Sequence, residues 1–267
     1  MLLHEHLENG ADKNPNFPFS EFEGNSLSYQ EANLLSNQLA NKLVSEGLEV
    51  GDRFAFLAKN CTEMAIMYYA ASKVGAVPVP LNYRLADQEW AYIINDSEAK
   101  LIIVKGNEYS NRINQISSEL KNVKKYISIS LDNSIEKFQD FYDWLSDSSN
   151  EKPTLKIHEN DDVYQMYTSG TTGHPKGAVL LQRNVAANIR QYLNSLTLPR
   201  PSRTLLVAPM YHAAAMINMC GCIAIGGTIV IQEDFIPQDV VDCLANEKIT
   251  HTAVSYTHLT LPTILLV

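Results

Sequence analysis

Eleven consecutive residues, Tyr167-Thr168-Ser169-Gly170-Thr171-Thr172-Gly173-His174-Pro175-Lys176-Gly177, bring together four aliphatic hydroxyls, three glycines and one lysine. Glycine tolerates positive φ and permits close approach, so such a run can turn backbone N–H groups toward an anion. The hydroxyls of Thr168, Ser169, Thr171 and Thr172 can donate to phosphate oxygens, and Lys176 adds a point charge. From Val163 to Gly177 there is no acidic residue, and Lys176 is the only formal charge, in a chain whose net charge is −9. That local bias toward positive charge and N–H donors suits a polyphosphate. The run is not a Walker A loop, which places Gly directly before Lys and Ser or Thr directly after it at the start of a helix. Here Pro175 precedes Lys176 and Gly177 follows it. The plain alternative is a Ser/Thr/Gly-rich hairpin turn without a ligand. The density of hydroxyls around two glycines, followed by Pro-Lys-Gly, favours the phosphate reading.

The flanking sequence supplies elements to hold this loop. Apolar positions at Ala32, Leu35, Leu39 and Leu43 predict a helix over 29–46 with Gly47 as its stop. A buried strand is expected over 53–58 and a helix over 62–74 ending at Gly75. A short extended piece at 77–80 precedes a helix over 87–95, then strands over 101–104 and 126–130. The stretch 146–153, Ser-Asp-Ser-Ser-Asn-Glu-Lys-Pro, reads as a surface connection between two halves. Beyond it strands over 163–168 and 177–181 bracket the Gly/Thr loop, and a helix follows over 184–196. Strands over 204–208, 227–231 and 249–253 then alternate with helices over 213–224 and 237–246. This alternation predicts an α/β fold built from βα units around a largely parallel sheet.

Composition excludes several classes. At 267 residues and 45% hydrophobic, the chain has material for a large core, and global disorder is not expected. Lys and Arg number 21 against 30 Asp and Glu, the opposite of a nucleic-acid binder's balance. No run has the length and apolarity of a transmembrane helix, and the first residues lack a signal peptide's basic and apolar regions. Cysteines 61, 220, 222 and 243 form no CxxC pair, so buried thiols in a cytoplasmic protein are expected, with no metal site. Met216, Met219 and Cys220-Gly221-Cys222 read as helix packing, as do Trp90 and Trp144.

The loop resembles the phosphate-binding signature of the adenylate-forming superfamily, which includes acyl-CoA synthetases, luciferases and peptide-synthetase adenylation domains. Further strings agree in order: Leu27-Ser28-Tyr29-Gln30-Glu31, Gly51-Asp52-Arg53 with Lys59-Asn60-Cys61, and Lys73-Val74-Gly75-Ala76-Val77-Pro78-Val79-Pro80-Leu81-Asn82-Tyr83-Arg84. Pro209-Met210-Tyr211-His212 resembles an element of the acyl-CoA synthetases in particular. The resemblance, over roughly 4–253, implies the first part of a large N-terminal AMP-binding domain. It implies that Thr168, Ser169, Gly170, Thr171, Thr172, Gly173 and Lys176 hold the β- and γ-phosphates of ATP, with Mg²⁺ assisting. Tyr211 and His212 would lie at the acyl pocket or its gate, although a purely structural histidine is the competing reading. Arg84 is expected to fix a turn or a helix start and not to touch ligand. The reaction implied joins a small apolar carboxylic acid to coenzyme A through an acyl-adenylate. An aryl-acid ligase, a ligase loading a carrier protein, and a non-catalytic nucleotide-binding truncation are the alternatives. Two departures matter. Gln182 stands where the family commonly has His, and no Asp near Tyr211 is available to hold an α-amino group.

The end of the chain departs more sharply. Val254-Ser255-Tyr256-Thr257-His258-Leu259-Thr260-Leu261-Pro262-Thr263 resembles the translation of a transposase adapter used in short-read library preparation. Residues 254–267 are therefore expected to be a non-native tail that would pack poorly. They contain no Asp, Glu, Lys or Arg, so the charge of −9 belongs to residues 1–253. The family's downstream adenine, ribose and catalytic-lysine elements have no counterpart in the 267 residues, and the chain alone is expected to be inactive. Adapter-trimmed resequencing of the locus is expected to replace these codons; finding the same codons in genomic DNA would refute the adapter origin.

Overall fold

The computed structural model describes residues 1–130, 135–168 and 174–253. The chain begins with α1 (Leu3–Lys13) and a β-hairpin of β1 (Pro18–Phe22) and β2 (Asn25–Ser28). The following helix, α2 (Tyr29–Ser45), starts at a reciprocal cap. Ser28 Oγ accepts from the Glu31 N–H, and Glu31 returns a carboxylate oxygen to the Ser28 N–H at 2.8 Å. The Leu-Ser-Tyr-x-Glu string is thus a helix start, and its Tyr29 is fully buried.

A parallel sheet follows, in strand order β4-β3-β5-β6-β7. It is made from β3 (Arg53–Leu57), α3 (Thr62–Val74), β4 (Val77–Leu81), α4 (Asp87–Asp96), β5 (Leu101–Lys105), α5 (Asn107–Ile116), β6 (Lys125–Ile129) and β7 (Phe138–Asp140). Its central strands are apolar and buried over 54–57 and 101–104, as parallel strands covered on both faces must be. After α6 (Phe141–Leu145), residues 146–153 run along α2. There Asn37 donates to the Asn150 carbonyl, Asn41 to those of Ser149 and Glu151, and Lys42 pairs with Asp147.

The hairpin of β8 (Asp162–Thr168) and β9 (Lys176–Leu181) is antiparallel and, among the described residues, pairs with neither larger sheet, although β8 lies beside β4. Then come α7 (Gln182–Ser195), β10 (Arg203–Leu206), α8 (Ala213–Ala224), β11 (Thr228–Ile231), α9 (Pro237–Asn246) and β12 (His251–Thr252). The last strands join the first ones in the order β12-β10-β11-β1-β2, parallel except at the β1–β2 hairpin. The α/β class and parallel pairing agree with the sequence reading, with two sheets and a hairpin in place of a single sheet. The α1, β1, β2, α5, β7 and α6 elements were not expected. α1 buries Leu3, His4, Leu7 and Gly10, with Leu3 and Leu7 at helical spacing. Residues 254–267, and the expectation that they pack poorly, lie outside the described residues.

α3 is buried over Met64–Val74 and touches both β1 and β4, so it sits between the two sheets. It stops at Gly75, whose φ of 70° is left-handed. Lys73, one residue before the end of this helix, donates to Asn33 Oδ1 and Asn37 Oδ1 at 2.6 Å each and pairs with Glu8 at 3.3 Å. Burial lowers its pKa to about 8. Ser72 accepts from Gln182 Nε2 at 2.8 Å, and the His4 ring lies 3.0 Å from the same hydroxyl. All four cysteines are buried, as are Met216, Met219, Trp90 and Trp144. Among the described residues, no helix is long and apolar enough to cross a membrane.

Gly10 offers a test of this packing. A Cβ there would lie 2.3 Å from two Tyr29 ring carbons, and the ring is pinned because its hydroxyl donates to the Gly227 carbonyl at 2.7 Å. Helix propensity alone would favour Gly10→Ala by about 1 kcal/mol. Overpacking costs roughly 1–3 kcal/mol or more, so a net destabilisation of about 1 kcal/mol is expected by chemical denaturation. A stabilised variant would contradict the packing.

Candidate functional site

In the β8–β9 hairpin, Thr168 pairs with Lys176 and Tyr167 with Gly177. Residues directly opposite in an antiparallel ladder share a face. The Thr168 and Lys176 side chains therefore share a face at the loop end of the hairpin, and both residues are exposed. Among the described residues no carboxylate pairs with Lys176, which leaves its charge available to an anion. Ser169, Gly170, Thr171, Thr172 and Gly173, the other expected phosphate ligands, lie outside the described residues.

The hairpin is separate from the sheet beside it for a chemical reason. β8 runs next to β4, where Val77 N–H donates to Asp52 of the other neighbouring segment. Donors alternate along a strand, so positions 78 and 80 face β8, and both are proline. With those donors missing, the ladder cannot cross, and side chains brace the hairpin instead. Tyr92 of α4 donates to the Pro175 carbonyl at 3.3 Å, and its ring stacks on His174 with centroids 5.0 Å apart. Tyr167 donates to Asp96 Oδ2 at 2.6 Å and accepts from Gln165 Nε2 at 3.1 Å. Burial, then the Asp96 carboxylate, pushes the Tyr167 phenol well above its ordinary range, so it stays a donor. Gly177 serves this network by being small. A Cβ there would lie 2.3 Å from Gln165 Nε2 and 3.0 Å from the Tyr167 ring.

The second group expected to be functional lies where β10 exits. Tyr211 is buried, and its ring meets Tyr83 edge to face at 5.6 Å. His212 is the residue just before α8; it is exposed overall, with its ring packed on Tyr211 at 4.4 Å. Partial burial of the ring, then the nearby Arg84 cation, hold its pKa below the ordinary histidine value. Arg84 stacks over the Tyr83 ring at 5.2 Å, and its backbone N–H donates to Asn82 in a turn. Tyr83 in turn donates to Asp234, which pairs with Lys59 at 2.6 Å. Gln182, by contrast, is wholly buried and tied to Ser72 and to the Leu3 N–H, a structural tie and not a ligand.

The hairpin and the β10 exit are joined by one buried side chain. Tyr68 of α3 packs edge-on against Tyr164 of β8 at 6.1 Å, and its hydroxyl donates to the Met210 carbonyl at 3.3 Å. Sequence reading did not single out Tyr68, Tyr92 or Asp96; each sits on an ordinary helical face and acts on a residue more than 70 positions away. A surface depression of about 460 Å³ between the β1–β2 hairpin and α9 contains none of these residues. Among the described residues, no group of three or more His, Cys, Asp or Glu side chains is placed to hold a metal ion.

Comparison with known proteins bears on this arrangement. A family model described as AMP-binding enzyme matches residues 7–261. The chain is 30% identical over 224 residues to a long-chain-fatty-acid–CoA ligase, FadD13, of Mycobacterium tuberculosis, covering 84% of this chain and 43% of that protein. It is 30% identical over 228 residues to a feruloyl-CoA synthase of an Amycolatopsis species, covering 85% of this chain and 43% of that one. The chain thus spans less than half the length of these curated relatives. The inhibitor-bound N-terminal domain of FACL13 from Mycobacterium tuberculosis superposes with a TM-score of 0.87 at 26% identity, over 97% of this chain and 64% of that one.

The environment of His212 predicts its titration. Its NMR midpoint is expected below the ordinary value of about 6.5, and Arg84→Gln is expected to raise it part of the way. A wild-type midpoint at or above the ordinary value would refute the described packing.

Proposed function

Because the chain belongs to the AMP-binding enzyme family, we propose that it is the phosphate-gripping and acid-facing part of an ATP-dependent, AMP-forming acid–thiol ligase. The observation that carries this reading is the pairing of Thr168 with Lys176, which no carboxylate among the described residues neutralises, beside a loop rich in hydroxyls and glycines. In the proposed reaction a carboxylate oxygen attacks the α-phosphorus of ATP, forming the acyl-adenylate and expelling pyrophosphate. Negative charge builds on the departing phosphates, where the Lys176 ammonium and the loop donors stabilise it. Lys176 acts as an electrostatic clamp and not as a base. Mg²⁺ would neutralise phosphate charge, commonly binding through substrate phosphates with few protein ligands. A coenzyme A thiol would then displace AMP.

The acid is proposed to be apolar. Tyr211, His212 and the Ala213-Ala214-Ala215-Met216-Ile217 run offer no carboxylate for an amino group. The feruloyl-CoA synthase relative favours an aryl acid as the second reading, against the fatty acid of the FadD13 relative. The four buried thiols accord with a cytoplasmic setting. The reaction is proposed for a protein of the relatives' length that contains these residues, and the 267 residues alone are expected to bind ATP only weakly.

Carboxylate-dependent exchange of labelled pyrophosphate into ATP tests the proposal in such a full-length protein. Exchange is expected with at least one member of a broad acid panel, and Lys176→Ala is expected to slow it about 100-fold. The melting temperature should not move, because the Lys176 side chain is exposed. Absence of exchange across the panel overturns the ligase reading. Unimpaired exchange by the variant overturns the role of the clamp alone.

A further inference from the structure

Tyr211 and His212 are placed by their backbone. Among the described residues, neither the Tyr211 hydroxyl nor the His212 ring has a hydrogen-bond partner; the His212 N–H closes a turn onto Pro209. What fixes that turn is Met210, whose peptide groups are held on both sides. Its N–H donates to Asn60 Oδ1 at 2.7 Å, and its carbonyl accepts from the Tyr68 hydroxyl at 3.3 Å. The same Asn60 amide donates to the Ala208 and Gln232 carbonyls, both at 3.1 Å. Asn60 is 3% exposed, so three of its four possible hydrogen bonds bind the exits of β10 and β11 from the turn that follows β3. Tyr68 is fully buried, with its ring edge-on to Phe56 at 5.7 Å and to Tyr164 of the phosphate hairpin's first strand.

We infer that Asn60 and Tyr68 are positioning residues for acid selection: together they clamp Met210 and so set where the Tyr211–His212 wall stands relative to the phosphate hairpin. This rests on the ligase reading above. Neither residue needs to touch substrate. A buried amide with three bonds to two separate strand exits admits one geometry, and a residue clamped at both peptide groups carries that geometry to its successors. Loosening the clamp moves the wall and leaves the Thr168–Lys176 end of the hairpin in place, since Tyr92 and Asp96 brace that end independently.

The test uses Tyr68→Phe, which removes one hydroxyl and keeps the ring packing, and Asn60→Asp, which keeps an acceptor for Met210 and loses both donors. In the full-length protein, Asn60→Asp is expected to raise KM for the acid about 10-fold and Tyr68→Phe about 3-fold, with KM for ATP changed less than about 2-fold in each. Discrimination between acids differing by two methylenes is expected to fall in both. Acid and ATP parameters moving together, or unchanged discrimination, would overturn the inference; Tyr68→Phe decides it where Asn60→Asp does not fold. Wild-type protein without acid-dependent exchange would sink the ligase reading separately. In that case the His212 imidazole resonance decides the clamp. It should shift in both clamp variants and stay in place in Lys176→Ala; no shift in the clamp variants refutes it.

Discussion

The parallel pairing of β1 with β11 is the constraint on which the rest depends. It joins Ser20 to Ile229 and Phe22 to Ile231, across some two hundred residues of chain. Side chains reinforce it from both sides. Tyr29 reaches the Gly227 carbonyl, Thr228 Oγ1 donates to the Pro18 carbonyl, and Arg203 grips Glu21 through two nitrogens at 2.8 and 2.7 Å. Closing so long a loop is entropically costly, though the cost grows only slowly with length, and the reward is a core that neither end could build alone. α3, which touches β1 on one side and β4 on the other, is enclosed only once this sheet is complete.

Enclosure of α3 then sets the site. A helix that is apolar around its circumference needs neighbours on every side, and here they include both larger sheets, the hairpin strand β8 and helices α1 and α2. Its Ser72 and Lys73 survive burial because both are partnered, Ser72 by Gln182 and His4, Lys73 by Glu8 and two asparagines. Its Tyr68 faces both the hairpin strand β8 and the β10 exit. The prolines of β4 complete the arrangement. They withhold donors toward β8, so the β8–β9 hairpin is held by side-chain packing along β8, Tyr68 on Tyr164 among it, and by Tyr92 and Asp96 near its loop end.

Much of this was legible in the residues. The helix over 62–74, its glycine stop, the strand–loop–strand frame of the Gly/Thr run and the helix over 213–224 follow from periodicity and from glycine placement. The family strings were legible too, but their physical work is mostly architectural: Ser28 and Glu31 cap a helix, Gly75 ends one, and Lys73 is a buried tie. α1 was not anticipated, although its buried Leu3 and Leu7 stand at helical spacing. Nor was the split into two sheets, since strand order depends on pairing between distant segments and not on any strand's own pattern.

By itself, the sequence determined the local things: element types set by neighbours three or four residues away, the positive bias of the run from Val163 to Gly177, and membership of a family through ordered strings. Tertiary structure alone decided which distant groups meet. The Asn60 amide finds its partners 148, 150 and 172 residues away, and no local pattern marks one asparagine among many as the one that will be buried. Gly177 shows the same division. Its freedom of backbone could be read from its type, but its actual role, leaving room for Gln165 and Tyr167 across the ladder, exists only once the hairpin is paired.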